Sequence, residues 1–300
     1  MGKRKMVIAV ISILAAAAVL AGLILTGRYV GWGPFIFLKW NSGKTYVLSE
    51  HPYDFTVEDF TVENDGETIA GRRYLPHNPD SDGRVLIMSQ GFTGCMRGGR
   101  AAAESLAMSG INVVTFDFRG GSNYSENEGS TLNMPLTSEI SDLNAVIDTV
   151  KTWDFVNKNK IILMGYSFGG MVSALTAAQR DDICRLLLIY PAFSTSDDLK
   201  AEYPTRDDIP KVDVRSGMKV GKPYFDSLYE FDPYAEIGNF KNEVCIIHGT
   251  DDKQVPLSYS VRANDTYENS ELYIVEGGGH GFTGEQAHEY LKQSYGFICD

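Results

Sequence analysis

Apolar and polar residues alternate along two stretches near residue 60 of the chain. The stretches Tyr53–Glu63 and Glu67–Leu75 flank the dipeptide Asp65-Gly66. Alternation with a period of two is typical of half-buried strands, and Asp-Gly between two such runs favours a tight hairpin turn. The sequence therefore predicts an antiparallel hairpin ahead of the main body of the chain.

Short apolar runs separated by helix-like stretches follow the hairpin. Runs such as Ile161–Met164 and Leu186–Ile189 lack polar alternation, which is typical of strands covered on both faces. The predicted strands are Arg84–Ser89, Ile111–Asp117, Lys160–Gly165, Arg185–Tyr190, Glu243–His248 and Glu271–Glu276. The predicted helices are Gly99–Met108, Ser138–Trp153, Phe168–Arg180, Leu257–Tyr267 and Gly284–Tyr295. This order predicts an α/β domain with a mainly parallel central sheet flanked by helices.

One long interval interrupts this order. Ala192–Phe240 spans 49 residues without a clear strand, and such intervals are usually lids or binding loops. We therefore predict a lid insertion over residues 192–240, within one domain covering residues 53–300. Its aromatic side chains either hold an aryl or acyl group or pack the lid onto the sheet. They are Tyr203, Tyr224, Phe225, Tyr229, Phe231 and Tyr234.

The first thirty residues differ in character from the rest. Three basic residues at 3–5 precede a charge-free run of 22 residues, Met6–Gly27. As a helix this run would reach about 33 Å and cross a bilayer core of about 30 Å. We expect residues 1–30 to form an uncleaved transmembrane anchor, followed by a juxtamembrane segment over residues 31–52, with the catalytic body outside the cytoplasm. The alternative is a cleaved signal peptide and a secreted protein.

Composition and charge narrow the classes of partner. Hydrophobic residues make up 43% of the 300 residues and charged residues 22%, which suits a chain with a full core and excludes a disordered one. The net charge is −12, and residues 41–300 alone carry −17. Because so acidic a body repels phosphate backbones, nucleic acid is not an expected partner. The four cysteines form no CxxC pair and no metal-ligand pattern.

A candidate nucleophile lies at the end of a predicted strand. Gly165–Gly169 reads G-Y-S-F-G, follows the apolar run Lys160–Met164 and opens a helix rich in small residues. Such a turn would project the hydroxyl of Ser167 from the sheet edge, near a helix N-terminus that favours developing negative charge. The alternative is an ordinary glycine-rich turn between a strand and a helix.

A serine hydroxyl needs a base, and the base needs an acid to orient it. His280 follows the last predicted strand through three glycines and is the expected base, unless it is only an exposed loop residue. His248 ends a strand, where a packed structural role is expected. Asp251 and Asp252 are both candidates for the acid. Asp252 is favoured because it lies four residues past the strand end and just ahead of the next predicted helix.

An acyl-transfer site also needs donors for an oxyanion. One expected donor is the backbone N–H of Phe168, directly after the candidate nucleophile. The second is expected from the loop Ser89–Gly94, where the N–H of Phe92 is favoured. The alternative is that this loop is a glycine-rich turn without a catalytic role.

Residues 53–297 resemble the α/β-hydrolases, most closely the bacterial cinnamoyl/feruloyl esterase-like serine hydrolases. The segments that carry the resemblance are Gly91–Gly94, Phe116–Gly120, Gly165–Gly170, His248–Asp252 and Glu276–His280. The resemblance implies Ser167 as nucleophile, Asp252 as acid, His280 as base, and Phe92 and Phe168 as oxyanion donors. It also implies a small-molecule ester substrate and no metal or organic cofactor.

Three functional hypotheses follow. The leading one is a membrane-anchored serine hydrolase that cleaves carboxylic esters through an acyl-enzyme. A serine peptidase using the same three side chains is the nearest alternative. A non-catalytic surface binding protein on a hydrolase scaffold is the alternative of another class.

Overall fold

The structure is built around a sheet of eight strands. It is a computed structural model, and it describes residues 43–300. The strands are β1 (Phe55–Asn64), β2 (Glu67–Pro76), β3 (Val85–Ser89), β4 (Asn112–Phe116), β5 (Ile161–Tyr166), β6 (Ile183–Ile189), β7 (Val212–Arg215), β8 (Met218–Gly221), β9 (Glu243–Gly249) and β10 (Ser270–Val275). The sheet order is β1-β2-β4-β3-β5-β6-β9-β10, and β7 and β8 form a separate hairpin. In this sheet order, all neighbouring strands from β4 through β3 to β10 are parallel. The strands β1 and β2 pair antiparallel with each other, and β2 also pairs antiparallel with β4. The prediction of a mainly parallel sheet is confirmed.

Helices cover both faces of this sheet. They are α1 (Arg100–Met108), α2 (Leu136–Val150), α3 (Ser167–Ala178), α4 (Thr195–Glu202), α5 (Lys222–Leu228), α6 (Tyr234–Ile237), α7 (Leu257–Thr266) and α8 (Glu285–Cys299). The apolar residues of α2 and α3 belong to the core on one face, and those of α1 and α8 to the core on the other.

The apolar run of β5 shows why such a strand lacks polar alternation. Ile161 and Leu163 pack into the core on the α2 and α3 side, whereas Ile162 and Met164 pack into the core on the α1 and α8 side. All four side chains are buried. Successive side chains of a strand point to opposite faces, so a strand covered on both faces must be apolar throughout.

The predicted N-terminal hairpin is present, with its turn at the predicted dipeptide. Asn64 pairs with Glu67, which leaves Asp65 and Gly66 as a two-residue loop. Both have positive φ, 52° and 80°, the combination that matches the twist of a hairpin and favours Asp-Gly. The hairpin continues the sheet because β2 pairs with β4.

The insertion over residues 192–240 contains more regular structure than its sequence predicts. It forms α4, α5 and α6 together with the hairpin β7–β8, so the expectation that it lacks a strand is wrong. The two strands have only four residues each, and Val212 and Val214 are exposed. Strands of only four residues leave little periodic signal in a sequence.

The predicted transmembrane segment Met6–Gly27 and the first part of the juxtamembrane segment lie outside the described residues. Within residues 43–300, no helix combines the length and the apolar character needed to cross a bilayer. The end of the predicted juxtamembrane segment runs along α1, where the N–H groups of Tyr46 and Leu48 donate to the hydroxyls of Ser105 and Ser109, at 2.9 and 3.0 Å.

Two glycines differ sharply in the space around them, so substitution by alanine should change the free energy of unfolding in opposite directions. A Cβ on Gly169 would lie 2.3 Å from the carbonyl oxygen of Gln90 and 2.7 Å from that of Ser89, both backbone atoms, whereas a Cβ on Gly296 in α8 would meet nothing within 4 Å. Gly169→Ala should lower the free energy of unfolding by at least about 1–3 kcal/mol, the usual cost of overpacking. Gly296→Ala should raise it by up to about 1 kcal/mol through helix propensity. Chemical denaturation of both variants checks this, and equal effects would contradict the described packing.

Candidate active site

Ser167 occupies a sharp turn between β5 and α3. Its φ is 50°, a left-handed conformation that costs a non-glycine residue about 1–3 kcal/mol. The turn is so tight that a Cβ on Gly165 would lie 2.3 Å from the carbonyl oxygen of Gly169. The strand therefore delivers the Ser167 hydroxyl at the carboxyl edge of the sheet, directly at the N-terminus of a helix.

Three side chains from separate loops form one hydrogen-bonded chain. The distance from Ser167 Oγ to His280 Nε2 is 2.7 Å, and that from His280 Nδ1 to Asp252 Oδ2 is also 2.7 Å. Because an ionised carboxylate can only accept, Nδ1 carries the proton and Nε2 accepts from the serine hydroxyl. This is the tautomer in which the imidazole can take a proton from Ser167.

Asp252 is held as an ionised carboxylate. Its side chain is fully buried, and Oδ1 accepts hydrogen bonds from the N–H groups of Gln254 and Val255 at 2.8 and 2.9 Å. Burial raises the pKa of the Asp252 carboxyl, but the imidazoles of His248 and His280 and the Val255 N–H lower it by more, so it lies below its usual range. The negative charge that orients His280 is therefore present at all physiological pH values.

The structure distinguishes between the two candidate aspartates. Asp251 is exposed, and its backbone N–H donates to the carbonyl of Gly278 at 2.8 Å. Asp252 turns inward and contacts His280. Asp251 therefore braces the loop that bears His280, and its side chain lies outside the hydrogen-bonded chain.

The two expected oxyanion donors lie beside Ser167. The loop before α1 passes so close that a Cβ on Gly91 would lie 3.1 Å from the Ser167 Cβ. Phe168 occupies the first turn of α3, where backbone N–H groups lack a carbonyl partner in the helix. In residues 43–300, no group accepts a hydrogen bond from the N–H of Phe92 or Phe168. Both donors thus remain available.

A cavity of about 560 Å³ opens beside Ser167 and His280. One wall is aromatic: the rings of Phe92, Phe168 and Tyr224 lie 5.1–6.3 Å apart, centroid to centroid. The insertion supplies much of the remaining wall. Its residues there are Ala192, Ser194, Thr195, Asp198, Leu199, Glu202, Val214, Arg215, Ser216, Gly217, Tyr224 and Phe225. The insertion therefore shapes the space beside the Ser167 hydroxyl.

The aromatic residues of the insertion divide between two roles. Tyr224 and Phe225 line the cavity. Tyr203, Tyr229 and Tyr234 instead direct their hydroxyls to Asp213, the Tyr203 carbonyl and the Tyr259 carbonyl, at 2.8–2.9 Å. Phe231 packs against the core beneath the insertion. The packing interpretation therefore holds for Tyr203, Tyr229, Phe231 and Tyr234, whereas Tyr224 and Phe225 lie where a bound group could contact them.

Part of the cavity wall carries charge. Arg215 lies 2.7 Å from Glu202 and 2.6 Å from Asp213, and it donates to the Tyr203 hydroxyl at 2.8 Å. The carboxylate of Asp198 accepts from the hydroxyl of Ser194 at 2.6 Å. Because the arginine is already paired with two carboxylates, it does not offer an unpaired cation to a substrate.

Sequence reasoning did not single out Tyr190, which contacts the candidate base. Its ring centroid lies 4.7 Å from that of His280, and its φ is 38°. Tyr190 follows β6 at the carboxyl edge of the sheet, next to Pro191. Its position at the end of a predicted strand is the signal that the sequence offers for a role at the site. The contact with His280 itself forms only when the chain folds.

Comparison with known proteins agrees with this architecture. Residues 99–300 match the model of the prolyl oligopeptidase family. The α/β hydrolase domain-containing protein aho-3 of Caenorhabditis elegans is 28% identical over 192 residues, covering 62% of this chain and 48% of that protein. The 2-hydroxy-6-oxo-2,4-heptadienoate hydrolase of Pseudomonas putida is 24% identical over 184 residues, covering 49% of this chain and 66% of that protein. The chain thus spans about half to two thirds of these relatives.

Among solved structures, the chain is similar to Est1E from Butyrivibrio proteoclasticus bound to ferulic acid. The TM-score is 0.72 with 25% sequence identity, covering 80% of this chain and 99% of that one. The resemblance to α/β-hydrolases of the cinnamoyl/feruloyl esterase-like group, predicted from sequence, is confirmed.

Proposed function

This chain belongs to the prolyl oligopeptidase family and is a hydrolase of the α/β-hydrolase fold, and we propose that it cleaves carboxylic esters through an acyl-enzyme on Ser167. The observation that carries the proposal is the hydrogen-bonded chain from Ser167 through His280 to Asp252. A serine hydroxyl is a weak nucleophile until an adjacent base takes its proton, and here that base is within 2.7 Å.

The proposed reaction proceeds in two halves. Ser167 Oγ attacks the ester carbonyl while His280 Nε2 takes its proton, and the N–H groups of Phe92 and Phe168 stabilise the tetrahedral oxyanion. His280 then gives the proton to the departing alcohol, which leaves an acylated serine. In the second half, His280 takes a proton from water, the hydroxide adds to the acyl carbonyl, and Ser167 leaves with that proton. Asp252 stabilises the imidazolium in both halves.

The aromatic wall supports an aryl or hydrophobic acyl group as the bound part of the substrate. Phe92 and Tyr224, 5.1 Å apart between ring centroids, line the same cavity as Ser167, and aromatic rings favour stacked or edge-on contacts with a flat acyl group. The similarity to Est1E, which binds ferulic acid, favours the same class of ligand.

A serine peptidase is a second candidate function. The observation that favours it is the match to the prolyl oligopeptidase family over residues 99–300, since amide hydrolysis can use the same nucleophile, base and acid. Because both reactions can use Ser167, His280 and Asp252, the class of substrate that the protein cleaves separates the two candidate functions most directly.

A substrate panel discriminates between ester and amide hydrolysis. Methyl ferulate and p-nitrophenyl acetate represent the esters, and a proline-containing dipeptide p-nitroanilide represents the peptides. We expect a kcat/KM for methyl ferulate above that for the anilide, because the aromatic wall binds the feruloyl group. Faster cleavage of the anilide would transfer the assignment to a peptidase.

Replacement of the nucleophile tests the acyl-enzyme. Ser167→Ala should lower turnover of methyl ferulate to less than about a thousandth of the wild-type value, because only binding and oxyanion stabilisation remain. It should also abolish labelling by a fluorophosphonate, while circular dichroism stays unchanged. A wild-type protein that resists the probe would instead support a non-catalytic binding protein.

The two neighbouring aspartates form a matched pair for testing the acid. Asp252→Asn removes the charge that orients His280 and should lower kcat by orders of magnitude, up to about 10⁴-fold. Asp251→Asn changes an exposed side chain outside the hydrogen-bonded chain and should change kcat less than about threefold. Steady-state kinetics of both variants on one ester compares the two losses of kcat. A larger loss in Asp251→Asn than in Asp252→Asn would move the role of the acid to Asp251.

A further inference from the structure

His248 is a fully buried histidine at the end of β9. Its Nδ1 lies 2.7 Å from the Ser260 hydroxyl, and its Nε2 lies 2.9 Å from the Val255 carbonyl oxygen. Because a carbonyl can only accept, Nε2 carries a proton, and Nδ1 of the neutral ring then accepts from the Ser260 hydroxyl. The neighbours of His248 therefore determine which edge of its ring carries the N–H.

The Nε2 atom that bears this N–H also lies close to the candidate acid. His248 Nε2 lies 3.3 Å from Asp252 Oδ2, the same oxygen that contacts His280 Nδ1 at 2.7 Å. The other carboxylate oxygen receives the N–H groups of Gln254 and Val255. The imidazole of His248 therefore contacts Asp252 at the same oxygen that faces His280, while its N–H hydrogen-bonds to the Val255 carbonyl.

His248 also holds the backbone of the turn that carries Asp252. Val255 donates its N–H to Asp252 Oδ1 and accepts from His248 Nε2 through its carbonyl. Ser260 lies in α7, the helix after this turn. One buried ring thus connects the end of β9, the Asp252 turn and α7.

We propose that His248 is a positioning residue for ester hydrolysis: its Nε2–H aligns the Asp252 carboxylate with His280 Nδ1. The inference rests on the proposed function, since Asp252 acts only through His280. If His248 only filled space in the core, any side chain of similar volume could replace it. Loss of the N–H, by contrast, leaves the Val255 carbonyl without its donor and lets the carboxylate rotate away from His280.

Two amide variants separate alignment from packing. His248→Gln can place an amide N–H near the position of Nε2, whereas His248→Asn reaches only to the Nδ1 side and keeps a partner for Ser260. With p-nitrophenyl acetate, His248→Asn should lower kcat about 10-fold to 100-fold, less than the ~10⁴-fold loss expected when the acid itself is disabled, with KM changed less than about twofold. His248→Gln should recover most of kcat. Equal losses in both variants would overturn the proposal. His248→Phe keeps the ring volume without the donor, and it replaces His248→Asn if that variant fails to fold.

A double-mutant cycle tests whether His248 acts through Asp252. In an Asp252→Asn background, His248→Asn should lower kcat by less than about twofold, because the group that it aligns is already disabled. A purely structural role predicts the same fold-loss in both backgrounds, and that result would overturn the proposal.

Fluorophosphonate labelling of wild-type Ser167 keeps the two claims apart. If the wild-type protein is labelled and hydrolyses the ester while His248→Asn retains full kcat, the alignment role alone is wrong. If the wild-type protein neither reacts with the probe nor hydrolyses the ester, the proposed function fails and the role of His248 fails with it.

Discussion

The sharp turn at Ser167 is the constraint on which the rest of the site depends. A left-handed serine, φ 50°, can join a buried strand to a buried helix only if neighbouring backbones approach very closely. That approach leaves no room for a Cβ at Gly165 or Gly169. The energy stored in the turn is offset by the two cores that hold β5 and α3 in place. The result is a hydroxyl held at the sheet edge, with a helix N-terminus beneath it.

The parallel sheet brings distant parts of the sequence to this hydroxyl. In β3, β5, β9 and β10 the carboxyl ends lie at one edge, so the loops that follow them meet there although Ser167 and His280 are 113 residues apart. Each loop contributes a different group: backbone N–H donors, the hydroxyl, the carboxylate and the imidazole. The insertion then closes one side of the edge, where it adds Tyr224 to the aromatic wall and contributes a paired arginine.

Much of this arrangement can be predicted from sequence because its signals are local. Asp65-Gly66 predicts a hairpin turn because both residues tolerate a positive φ. The unbroken apolar run of β5 predicts a buried strand. Gly165–Gly169 predicts a tight turn that only small residues permit. The hairpin β7–β8 leaves no such signal because each of its strands has only four residues. The contacts of Tyr190 with His280, and of His248 with Val255, arise only when separate elements pack. Sequence therefore identifies His248 as a buried residue but does not reveal which atom its N–H meets.

Direct observation of the acyl-enzyme tests the central claim. Wild-type protein mixed rapidly with p-nitrophenyl acetate and quenched in acid should show, by intact mass and peptide mapping, one added acetyl group on the peptide that contains Ser167. The adduct should accumulate within the first turnover and disappear as hydrolysis completes. Ester turnover without any adduct on Ser167, or an adduct on another residue, would contradict the account.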